Sequence, residues 1–153
     1  MTPDPKIADH PVPVLIGAPS CAAGVIAVVF TPAGLVPLAA GLALVFWHRL
    51  RPSAAGSAVG AVAGAAAGTF GTLAVRTEKL CCMFGWSESR GGPYAWLSRS
   101  GVADTPGAAR ELAVAAGWRP DVVHLLMDVA FWAYAGFLIV VVAGLAWRAR
   151  PGR

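Results

Sequence analysis

The sequence predicts an all-α integral membrane protein: a bundle of four transmembrane helices, with three as the alternative, and a structured external loop containing one short helix. Three observations carry this reading. The 153 residues are 57% hydrophobic and only 13% charged, where soluble domains carry about 25% charged residues. Three apolar regions, 11–47, 53–75 and 122–147, are each long enough for a membrane helix of about 20 residues. Two of them end alike, in Trp47-His48-Arg49-Leu50-Arg51 and Trp147-Arg148-Ala149-Arg150, an aromatic then cations, as at a cytoplasmic membrane interface.

The first region is long for one helix and short for two. Thr31-Pro32-Ala33-Gly34 near its middle has turn chemistry, and proline both removes a helix donor and displaces the residue before it from helical geometry. Spans over 12–30 and 33–49 meeting at that turn are favoured. The alternative is one kinked helix over about 21–48 with 11–20 at the interface, since membrane helices tolerate proline. The remaining spans fall at 53–75 and 122–147. The two Trp-Arg ends then share a side, so both termini are expected in the cytoplasm of a plasma-membrane protein, with loop 76–121 outside. The amino terminus is a poor signal peptide, and Ala18-Pro19 does not suit lipidation at Cys21.

The span 53–75 carries its own pattern. Gly56, Gly60, Gly64 and Gly68 recur every four residues, and Thr72 continues the row. Residues spaced by four share a helix face, and small residues let membrane helices approach closely. This face is expected to pack against the chain's own helices, or against a protein partner or second copy. The row resembles those of pore-lining helices in some channels.

Loop 76–121 is longer than a simple connection. Asp104-Thr105-Pro106 signals a helix start and Gly117 a stop, predicting a helix over 106–116. Asp121 is placed to cap the last span. Between these lie Cys81-Cys82-Met83-Phe84-Gly85-Trp86 and Gly91-Gly92-Pro93-Tyr94-Ala95-Trp96-Leu97. Trp86, Pro93, Tyr94 and Trp96 are expected to form an interfacial cap or a partner-docking surface. The second stretch resembles Gly-x-Pro-x-x-Trp-Leu segments of small prokaryotic membrane proteins, where such a segment lies outside, close to a span. The composition, with ten Arg against two Lys and no Asn or Gln, resembles that of high-GC, actinobacterial-type bacteria.

Candidate chemistry is sparse. Asp121, His124 and Asp128 fall at i, i+3 and i+7 on one helix face, and Asp128 lies two turns into the span. Ionisable groups at such depth are costly and frequently functional, so His124 and Asp128 form the candidate intramembrane polar site. The plainer expectation is that Asp128 hydrogen-bonds within the bundle, to Tyr134, Thr69, Thr72 or a loop arginine. Cys81 and Cys82 are the redox candidates, but adjacent cysteines suit a disulfide poorly, and the CxxC of membrane thiol oxidoreductases is lacking. No nucleotide, phosphate or metal motif is present. The net charge of +4 is scattered beside the apolar runs, which excludes a nucleic-acid footprint. The expected function is therefore a non-enzymatic accessory or assembly subunit without cofactor, docking through the glycine face and the loop. A small homo-oligomeric pore is the alternative, and a thiol oxidoreductase a more distant one.

Overall fold

A computed structural model describes residues 11–81 and 84–150. The elements run α1 (Pro11–Phe30), α2 (Leu35–Val45), α3 (Trp47–Leu50), α4 (Ala54–Gly71), β1 (Arg76–Cys81), β2 (Gly85–Arg90), β3 (Leu97–Val102), α5 (Pro106–Ala116), β4 (Arg119–Pro120) and α6 (Val122–Arg148). They divide into two compact units: the residues up to Gly64 together with those from Ala133 onward, and Ala65–Trp132. Helices α4 and α6 contribute to both.

The first unit is helical. Thr31 caps a 3-10 turn over Pro32–Gly34, its hydroxyl accepting from the Ala33 amide, and α2 returns antiparallel along α1. Glycines make the approach possible. A Cβ built on Gly17 would lie 2.9 Å from the Gly41 carbonyl oxygen, and one on Gly24 would lie 2.5 Å from the Leu38 nitrogen. A small core of Ala40, Ala43, Phe137 and Val141 is bordered by Leu44, Trp47, Ala61 and Leu138. Trp47 stacks on Phe137 with centroids 6.2 Å apart. Ser20 on α1 hydrogen-bonds the Tyr134 hydroxyl of α6 at 2.6 Å.

The second unit corrects the predicted all-α architecture. Residues 76–120 build a four-stranded antiparallel sheet in the order β1-β2-β3-β4. Glu88 of β2 stands opposite Glu78 of β1 and Arg99 of β3, so these side chains share one face. Helix α5 covers that face. Thr105 caps it at the Ala108 amide, and Gly117, at φ 73°, ends it. Fully buried Ala109 and Ala113 pack with Trp86. Gly101 admits the helix, since a Cβ there would collide with the Ala109 carbonyl oxygen. The sheet escapes a hydropathy reading for a physical reason: its strands alternate, but Trp86-Ser87-Glu88-Ser89-Arg90 is polar at most positions on both faces.

The four-span bundle is corrected as well. Among the described residues, three helices are long and apolar enough to cross a membrane: Val12–Phe30, Ala54–Ala74 and Val122–Arg148. The apolar helix Pro32–Val45 is shorter. Chain is spent on the turn at Pro32, and helical geometry breaks again at Phe46, whose φ and ψ of −89° and 18° separate α2 from α3.

Candidate functional site

The Ala65–Trp132 unit concentrates the polar chemistry around two buried carboxylates. The first is Asp128, on α6 and fully buried. Its Oδ1 accepts from the Tyr94 backbone amide at 3.3 Å. One turn along, the Trp132 indole Nε1 donates to the Gly92 carbonyl at 2.6 Å. Together they tie the loop Gly91–Trp96 to α6, and Phe131 adds an edge-on contact to the Tyr94 ring at 6.4 Å. The Asp121 amide donates to the Trp96 carbonyl at 2.7 Å, anchoring the loop's other end. Thr69 of α4 faces the same carboxyl group, yet neither Thr69 Oγ1 nor Asp128 Oδ2 completes a hydrogen bond. A buried oxygen without a partner is costly. The Asp128 carboxylate therefore anchors the loop with one oxygen, with the Thr69 and Trp132 side chains beside it.

Asp128 thus meets Thr69, among the partners considered from sequence, while Tyr134 is engaged by Ser20. His124 is not brought to Asp128. It sits in the exposed first turn of α6, its ring Nδ1 2.7 Å from Asp121 Oδ2, and its backbone amide donates to Asp121 Oδ1 at 3.0 Å. That amide bond, then the ring, hold the Asp121 carboxyl below the usual carboxylate range.

The second carboxylate, Glu88, was not singled out from sequence. Its side chain is fully buried beneath α5. Arg99 donates from Nε to Oε2 at 2.7 Å, Arg76 from Nε to Oε1 at 2.7 Å, and Arg90 reaches Oε1 at 3.5 Å. Burial pushes the carboxyl up, but the Arg99 hydrogen bond and the charges of Arg76, Arg99 and Arg90 outweigh it and hold it below its ordinary range. Two tryptophans interleave with these cations. The Trp118 ring faces the Arg90 and Arg99 guanidinium carbons at 5.0 and 4.5 Å, and the Trp86 ring faces Arg99 and Arg110 at 5.7 and 5.8 Å. Such cation–π contacts are individually modest, about 0.5–2 kcal/mol. Here they join one carboxylate, four arginines and two tryptophans into a rigid polar core. The legible signal was the period-two placement of Trp86, Glu88 and Arg90 against Ser87 and Ser89.

The other predicted positions fall as follows. The glycine row packs within the chain. A Cβ on Gly60 would strike Val140. One on Gly136 would strike the Gly60 carbonyl and lie 2.8 Å from the Gly64 Cα. One on Gly68 would overlap the Trp132 ring, whereas Gly56 keeps ordinary contacts. Thr72 turns its hydroxyl to the Thr69 carbonyl at 3.1 Å. Of the docking candidates, Trp86 is 7% exposed and Trp96 half-buried, while Pro93 is exposed. Cys81 is exposed at the end of β1, and Cys82 lies outside the described residues. Among the described residues, no group of three or more His, Cys, Asp or Glu converges as a metal site would require. Comparison with protein families, curated proteins and solved structures found no match for this chain.

Proposed function

We propose that this chain is a multi-pass plasma-membrane protein acting as a non-enzymatic accessory subunit, with its β-sheet unit as the docking module. The observation that supports docking is the character of the sheet's far end. Leu80, Phe84 and Val102 are 60%, 47% and 69% exposed. They lie at the end of the strands away from Arg76, about 14–17 Å along β1. Leu80, opposite Trp86, and Val102, opposite Gly85, lie on the two faces of this sheet end, so exposed apolar side chains flank it on both sides, as at a protein-binding edge. Among the described residues, exposed strand β1 is an edge of the sheet, and a sheet edge can accept a partner strand. The glycine face, occupied by α6, is the weaker docking candidate.

The orientation proposed is that of basic ends inside. Arg148 donates to the Leu50 and Arg51 carbonyls, each at 2.7 Å, so the two basic segments meet, as a shared cytoplasmic side requires. The sheet unit is then external.

Gentle detergent extraction and affinity purification of the full chain, wild type beside a Leu80→Asp, Phe84→Asp variant, tests the reading. A stoichiometric partner lost in the variant supports it; a lone chain, or a partner indifferent to the substitutions, counts against it. A second reading, a small ion- or proton-conducting element, has the buried Asp128 carboxyl in its favour. Flux through proteoliposomes that is abolished by Asp128→Asn would shift the assignment to it.

A further inference from the structure

The described residues of the helical unit carry a charge imbalance that they do not answer among themselves. They include His48, Arg49, Arg51, Arg148 and Arg150 but no Asp or Glu. All five are exposed. Two are held against exposed aromatic rings, Arg49 over Phe46 at 5.9 Å and Arg150 over Trp147 at 5.4 Å. Arg148 spends two of its five donors on the Leu50 and Arg51 carbonyls. Its guanidinium is thereby fixed in place with donors left over.

Beside that fixed guanidinium opens an apolar cavity of about 130 Å³ lined by Leu50, Pro52, Val141, Gly144, Leu145 and Arg148. The volume lies below the roughly 300–1,000 Å³ of sites for compact small molecules. It suits a length of hydrocarbon chain. A Cβ built on Gly144 meets nothing within 4 Å, so a larger side chain has room there.

We infer that this groove seats an acyl chain of an anionic glycerophospholipid, whose phosphate accepts hydrogen bonds from Arg148 beside Arg51. The inference rests on the bilayer reading above. Three features select this occupant: an apolar slot, a pre-positioned guanidinium at its rim, and surrounding cations with no carboxylate among the described residues of the unit. A cytoplasmic leaflet supplies the matching chemistry, because anionic lipids gather at juxtamembrane arginines. A zwitterionic lipid fills the slot equally well but gains less from the cations.

The test uses the full chain in mild non-ionic detergent. Phosphatidylglycerol and phosphatidylcholine with identical acyl chains are added in equal amounts, and bound lipid is counted by native mass spectrometry. The expected result is one retained phosphatidylglycerol, favoured about fivefold or more for each cation engaged. Gly144→Leu, which adds apolar bulk to the slot lining and removes no charge, should remove that retained lipid while tryptophan fluorescence stays that of the wild type. Arg148→Gln should lower the preference between the headgroups about fivefold. Equal retention of the two lipids by the wild type overturns the site. So does a preference that survives Gly144→Leu, which would mark diffuse charge attraction alone. If the chain instead stays in solution without detergent, the bilayer reading fails first, and that outcome is visible before any lipid is added.

Discussion

The two units bury their interiors by opposite means. In the helical unit the closest contacts are backbone against backbone: Gly136 on Gly60 and Gly64, Gly17 on Gly41, Gly24 on Leu38. In the sheet unit the interior is Trp86, two alanines and a carboxylate ringed by arginines. The contrast follows from the solvents each unit is proposed to face. Between helices in lipid, hydrophobic burial contributes little and close van der Waals approach does the work. A sheet of about 45 residues in water buries too little apolar surface for comfort, and charge-assisted hydrogen bonds with aromatic stacking supply the remaining rigidity.

The contrast breaks first at Gly136. Gly136→Leu places side-chain atoms where the Gly60 carbonyl stands, and backbone cannot yield as a side chain can. The expected cost is about 3 kcal/mol or more, at the upper end of overpacking, read as loss of the monodisperse peak in detergent. Gly144→Leu, into open space, is the matched control and should leave that peak intact.

In the sheet unit the largest effect is expected from Glu88→Ala. It strands Arg99 and removes the counter-charge of Arg76 and Arg90, at about 3 kcal/mol. Thermal unfolding followed by tryptophan fluorescence checks it, and a change under 1 kcal/mol would mean the arginines are already satisfied by water. The same residue makes the unit acid-sensitive. Its folded carboxyl sits below its ordinary value, so the unfolded state binds more protons in acid. The stabilisation is present above the unfolded value of about 4.3 and is lost as pH falls through the lower folded one. Glu88→Gln should flatten that dependence. An unchanged acid limb in the variant would assign it to another carboxylate.

The smallest expected effect is local. Thr105→Ala removes the α5 cap on the Ala108 amide and should cost about 1 kcal/mol, seen as faster amide exchange in the first turn of α5 with the sheet unchanged.

Sequence alone determined what adjacent residues decide. Thr31-Pro32 marks the turn between α1 and α2. Thr105-Pro106 and Gly117 bound α5 at Pro106–Ala116, and Asp121 caps α6. Apolar length sets the three helices able to cross a membrane. These signals are local because caps and turns act over three or four residues. Tertiary structure decided the rest. That β1, β2 and β3 form strands depends on cross-strand partners from another part of the chain, such as Glu88 opposite Glu78 and Arg99. Trp86, read as a surface aromatic, is buried because α5 lands on it. The glycine row showed a smooth face, but only the structure shows that Gly136, Val140 and Trp132 of α6 fill it. Asp128 was legible as an anomaly in an apolar helix, whereas its Tyr94 partner was not, since a backbone amide leaves no mark in a sequence. Helical and capping preferences are written in neighbouring residues; register, burial and charge pairing are properties of residues that only the folded chain brings together.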